Sequence, residues 1–102
     1  MSKHQYDSVW DAIEDSPAEA ANMKMRSELM IAIQETVKSW NSIQSKSAER
    51  LDVTQPRLND LMRGRIDKFS LDALMNLATK AGLSVRVNIR PGGRVKKDMA
   101  VV

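Results

Sequence analysis

The stretch VTQPRLNDLMRG, residues 53–64, gathers the side chains best suited to chemistry in this chain. Gln55 and Arg57 are types that make paired hydrogen bonds to base edges, glutamine to adenine and arginine to guanine. Their spacing supports that use. Thr54 suits a helix N-cap, Leu58, Leu61 and Met62 recur at i, i+3 and i+4, and Gly64 is a natural stop. Gln55 and Arg57 therefore fall in the first helical turn, with Asn59 and Asp60 further along the exposed side. Pro56 takes the second helical position, where its missing N–H has no intrahelical partner to lose. Its ring offers an apolar surface to a thymine methyl. The competing reading of the same residues is a short capped helix in a hydrophobic bundle.

Other chemistry has little to build on. The chain has no cysteine and one histidine, His4, which excludes a disulfide framework and argues against a metal site. It has no glycine-rich phosphate loop, and the Glu14–Asp15 pair lacks a convergent partner. The chain reads as non-enzymatic, without cofactor or metal. No apolar run approaches the roughly 20 residues of a membrane span. MSKHQYDSVW has no apolar signal core, so a cytoplasmic location is expected.

Charge is divided unevenly. Residues 1–22 carry one base and five acids, a net −4, whereas residues 23–102 carry fifteen bases and eight acids, a net +7. A basic body points to an anionic partner. Arg86, Arg90, Arg94, Lys96 and Lys97 read either as a solvated edge and tail or as auxiliary contacts to an anionic backbone or an acidic partner.

The elements that must position residues 54–57 follow from periodicity. Residues 8–15 place Val9, Trp10 and Ile13 at helical spacing. Ser16, Pro17 and Glu19 form a strong helix start. From there Met23, Arg26, Leu29, Met30, Ile33, Val37 and Trp40 trace one helix, with room for a bend or break near Asn22. Met23, Met25 and Met30 read as core filling, and Trp10 and Trp40 as packing anchors. A short helix at 44–51 buries Ala48 and Leu51 and turns at Asp52, a residue type tolerant of unusual backbone angles. RGRIDKFS reads as a loop. Ser70 caps a last helix over 70–82 with Leu71, Leu74, Leu77 and Ala78 inward, ended by Gly82. Leu83, Val85, Val87 and Ile89 then alternate with polar residues, which predicts a half-buried strand over 83–90. A lone strand leaves its backbone unpaired, so the expected partner is the same strand in a second copy, giving a homodimer.

Two short helices joined by a tight turn, the second opening on polar side chains, have helix-turn-helix spacing. SIQSKSAERLDVTQPRLNDLMRGRIDKFSLDAL resembles the XRE (Cro and phage-repressor-like) helix-turn-helix family. The resemblance runs over about residues 23–82. SVWDAIEDSPAEAANMKMRSELM, followed by VTQPR and FSLDAL, resembles more narrowly a subgroup that includes HigA-type antitoxins acting beside RelE/HigB-like toxins.

The resemblance implies a mainly α fold, a four- to five-helix bundle with one C-terminal strand. It implies that Gln55, Pro56, Arg57 and Asn59 meet bases, and that Gln44, Thr54, Arg63, Arg65 and Lys68 meet phosphates. Gln44 would alternatively touch a base at the site edge. Leu83, Val85, Val87 and Ile89 are the expected dimer contacts. The organisation expected is an acidic arm (1–22), a DNA-binding domain (23–82), a dimerisation strand (83–90) and a basic tail (91–102). The function implied is a sequence-specific, autoregulatory repressor, an antitoxin with a RelE/HigB-like toxin partner. The alternatives are a protein-interaction module that mainly neutralises a partner, and a stand-alone or prophage regulator. Two departures from the family pattern stand out: Ile43 replaces the usual threonine cap, with Ser42 as a substitute one residue early, and Asp52 replaces the usual turn glycine.

Overall fold

A computed structural model of the chain describes residues 16–91. The turn expected at 8–15, most of the acidic arm and the tail beyond 91 lie outside the described residues. Four α-helices and one 3-10 turn follow in order: α1 (Pro17–Trp40), α2 (Gln44–Leu51), α3 (Gln55–Met62), the 3-10 turn Ile66–Lys68, and α4 (Leu71–Lys80).

α1 begins where its capping residues predict. The Ser16 hydroxyl accepts the Glu19 N–H at 3.4 Å, and Pro17 takes the first helical position. The helix runs unbroken through Asn22. There the side-chain carbonyl accepts Arg26 Nε at 2.7 Å, a one-turn bridge along the helix surface. It stops at Asn41, which adopts a left-handed conformation with φ 51°.

α2 ends the same way. Asp52 has φ 60°, its N–H bonds the Glu49 carbonyl at 3.0 Å, and the Val53 N–H reaches back to the Ala48 carbonyl at 2.9 Å. α3 closes by the same pattern around Gly64: Gly64 N–H to Leu61 at 3.1 Å and Arg65 N–H to Asp60 at 3.0 Å. The aspartate therefore occupies the backbone state that glycine occupies elsewhere, and the left-handed residue gives the tight turn between α2 and α3.

The apolar stripes converge on one core. Met30, Ile33 and Val37 come from α1, Ala48 and Leu51 from α2, Leu58 and Leu61 from α3, and Leu74, Leu77 and Ala78 from α4. Phe69 completes it at 1 % exposure, although it lies in a segment whose sequence reads as loop. Met30 is core, as expected of the methionine run, but Met25 is 40 % exposed. Leu71 is only half-buried, so the inward stripe of α4 is narrower than its spacing predicts.

Residues 83–90 depart from expectation, because no β-strand forms among the described residues. A strand exists only through a partner, and the described part of the chain provides no second one. The Leu83 N–H instead closes α4 by bonding the Ala78 carbonyl at 2.9 Å. Leu83 and Val85 lie half-buried against the chain's own core, while Val87 and Ile89 are 58 % and 87 % exposed. The alternation is real as a pattern, but its first half is spent within the chain.

Candidate nucleic-acid interface

α3 is held from both ends and from below. The Thr54 hydroxyl accepts the Arg57 N–H at 3.2 Å, and Pro56 sits in the first turn as its register predicts. Leu58 and Leu61 are each 1 % exposed. At the far end, Gln34 of α1 donates from Nε2 to the Leu61 carbonyl at 2.8 Å. These restraints fix which side of α3 faces outward.

That outward side carries Gln55, Pro56 and Asn59, all exposed and within little more than one turn of each other. Gln55 shares a shallow cleft between α2 and α3 with Ser45, Lys46 and Glu49. Gln44, the first residue of α2, is also exposed and lines a different depression with Lys38, Leu58 and Met62. Glutamine side chains thus open both helices of the pair. The α2 start is uncapped: Ile43 holds the cap position with no side-chain hydrogen bond, and the Ser42 hydroxyl does not replace it.

The cations of α3 and of the loop after it fall in three different states. Arg63, at the C-terminal cap, and Lys68, in the 3-10 turn, are exposed, and no ion pair engages them among the described residues. Arg65 is exposed but lies 3.7 Å from the Asp60 carboxylate through its Nε. Arg57 is half-buried and engaged inside the chain. Its guanidinium carbon stands 4.0 Å from the centroid of the Phe69 ring, and its Nη1 donates to the Lys68 carbonyl at 2.9 Å. The residue type that reads guanine is present in the first turn, but its side chain points into the following loop.

Two residues here escape a reading of α3 alone. Gln34 ties the end of α3 to α1. Arg26 donates from Nη1 to the carbonyls of Ile66 at 3.2 Å and Phe69 at 3.3 Å. The signal for Arg26 is in the sequence: it is the one charged member of an otherwise apolar stripe, and a cation on an inward stripe needs acceptors. Gln34, flanking the buried Ile33, carries no comparable mark.

A capped helix with polar outward residues, joined by a left-handed turn to a second short helix on a shared core, defines a helix-turn-helix protein. The chain belongs to that family, since the family model described as a helix-turn-helix domain matches residues 12–90. Among solved structures the chain is similar to a protein assigned to the XRE family of transcriptional regulators, at 25 % sequence identity and a TM-score of 0.67. That match covers 74 % of this chain and 85 % of the other. No curated protein matches the chain.

Proposed function

We propose that this chain is a sequence-specific, double-stranded DNA-binding transcriptional regulator, a repressor of its own operon. The observation that carries the reading is the outward side of α3. Gln55, Pro56 and Asn59 are exposed on a helix whose orientation is fixed by a cap, two buried leucines and the Gln34 bond. Such a helix enters the major groove with its N-terminal residues against base edges. Gln55 and Asn59 are the amide side chains that pair with adenine, and Pro56 offers its ring to a thymine methyl. Gln44, Thr54, Arg63, Arg65 and Lys68 surround this side as phosphate contacts, which fix register without reading sequence.

The DNA-bound form is a homodimer joined through residues 83–90. Val87 and Ile89 present apolar side chains to solvent. No backbone hydrogen bond pairs residues 84–90 among the described residues. A second copy of the segment satisfies both, with Leu83 and Val85 anchoring it to the core beneath. A two-fold dimer then reads two half-sites about one helical turn apart. Sedimentation at micromolar concentration is expected to give twice the mass of the chain, and a monomer there would remove the dimer from the reading.

The particular role is that of an antitoxin beside a RelE/HigB-like toxin. Its support is the resemblance of residues 8–30 to that subgroup, together with an acidic arm suited to a basic partner. A gel shift on the duplex upstream of the chain's own gene, run with and without the product of the neighbouring gene, separates the possibilities. Binding by the chain alone is expected, tightened by the neighbour. Binding only with the neighbour would favour a module whose main task is neutralising a partner. Binding indifferent to the neighbour would favour a stand-alone or prophage regulator.

A further inference from the structure

Arg57 and Arg26 both end on the backbone of one short loop. Arg26 reaches it from α1 and takes the carbonyls of Ile66 and Phe69, while its Nε is steadied by Asn22. Arg57 reaches it from α3, takes the Lys68 carbonyl between them, and lies over the Phe69 ring. Three carbonyls in four residues are therefore held by two guanidinium groups. The loop's own backbone provides a three-residue 3-10 turn, with Lys68 N–H to Arg65 at 3.0 Å and Phe69 N–H to Ile66 at 3.2 Å, preceded by one tight bond from Ile66 N–H to Gly64 at 2.7 Å. Such a turn has poor hydrogen-bond geometry and little stability by itself. Among the described residues neither arginine has a carboxylate partner, so both add positive charge beside a loop that exposes Arg65, Asp67 and Lys68.

Reading guanine needs the fork of a guanidinium presented to O6 and N7. Arg57 has one terminal nitrogen on a carbonyl and one face on an aromatic ring. Swinging out would strip both and uncover Phe69, which is 1 % exposed.

We infer that Arg57 is a positioning residue: it locks the loop that carries Arg65 and Lys68 at the height of the phosphate backbone, and base selection falls to Gln55 and Asn59. The inference rests on the DNA-binding reading above and says how the two sides of that surface are divided.

The test uses the full chain, Arg57→Met, which keeps apolar cover over Phe69 but removes the donor, and Phe69→Leu, which changes no charge. Each protein selects duplexes from a randomised library, and amide exchange at Lys68 and Phe69 is followed without DNA. Both variants are expected to keep the base preferences of the unaltered chain. Each should bind selected and random duplexes more weakly by one common factor, about fivefold for Arg57→Met, the worth of the one ordinary hydrogen bond it loses. Lys68 and Phe69 amides should exchange faster in both. For Phe69→Leu the salt dependence of binding should become shallower although no cation was removed, which a loss of stability alone would not produce. Loss of preference at a single base pair in Arg57→Met, with loop exchange unchanged, overturns the inference and makes Arg57 a base reader. If the unaltered chain enriches nothing, the DNA reading falls. The exchange rates then decide by themselves whether Arg57 holds the loop, with unchanged rates overturning the hold.

Discussion

α2 and α3 have the same length, eight residues each, and share one core, yet their starts are built differently. α3 opens on a threonine whose hydroxyl caps the helix, with a proline stiffening the first turn. α2 opens on an isoleucine that caps nothing and is 67 % exposed. Four N–H groups at each helix start lack intrahelical partners. At α3 the cap side chain satisfies one of them, whereas at α2 the cap residue offers only its backbone, with the Lys46 N–H on the Ile43 carbonyl at 3.1 Å. The local restraint is invested in the helix whose first-turn side chains must be held in place. The start of α2 relies on Ser47, Ala48 and Leu51 packing beneath it.

The largest effects should not distinguish the two helices at all. Leu51→Ala and Leu58→Ala each remove a side chain that is at most 1 % exposed, so each should cost about 2–5 kcal/mol in chemical denaturation. A loss confined to one of them would mean that the shared core is not shared equally. The difference between the helices should appear at the caps. Thr54→Ala is expected to cost about 1 kcal/mol. Ile43→Thr, which restores a capping hydroxyl at an exposed position, should stabilise the fold by about 0.5–1 kcal/mol. Equal and opposite shifts in denaturation midpoint would sharpen the contrast, and an inert Ile43→Thr would break it. The smallest effect on stability belongs to Arg65→Ala, because its pair with the half-buried Asp60 is long, at 3.7 Å, and opens to solvent on the arginine side, and such pairs contribute about 0–1 kcal/mol. Its consequence should show on DNA, as uniform weakening and a salt slope shallower by about one. An unchanged slope would remove Arg65 from the phosphate contacts.

The parts legible in the sequence are those governed by neighbours along the chain. Thr54, Pro56 and the leucine spacing placed α3 in register because cap, proline and stripe act within two turns. Asp52 could be read from its type as a turn residue tolerant of unusual backbone angles, and its φ of 60° is such an angle. Parts decided by distant contacts were not legible. The partners of Arg57 lie eleven residues on, at the Lys68 carbonyl, and just beyond it at the Phe69 ring. Nothing near Arg57 in the sequence announces them. Phe69 itself carried a hint, as one of only four aromatic residues in a chain that must build a core. The segment 83–90 failed for a different reason. Alternation marks an extended segment with two unlike sides, but it does not say whether the apolar side meets a second strand or, as for Leu83 and Val85, the chain's own helices. Pairing is a property of two segments, and only one of them is in the described chain.

Everything proposed for DNA depends on the outward side of α3 reading base sequence. That role is tested most directly by selecting duplexes from a randomised library with the unaltered chain and with Gln55→Ala, then comparing preferences position by position. The account predicts a defined preference for the unaltered chain, and loss of discrimination at one base pair for Gln55→Ala, worth about 1–3 kcal/mol, with the other positions kept. Identical preferences for the two proteins, or equal weakening on selected and random duplexes alike, would contradict it.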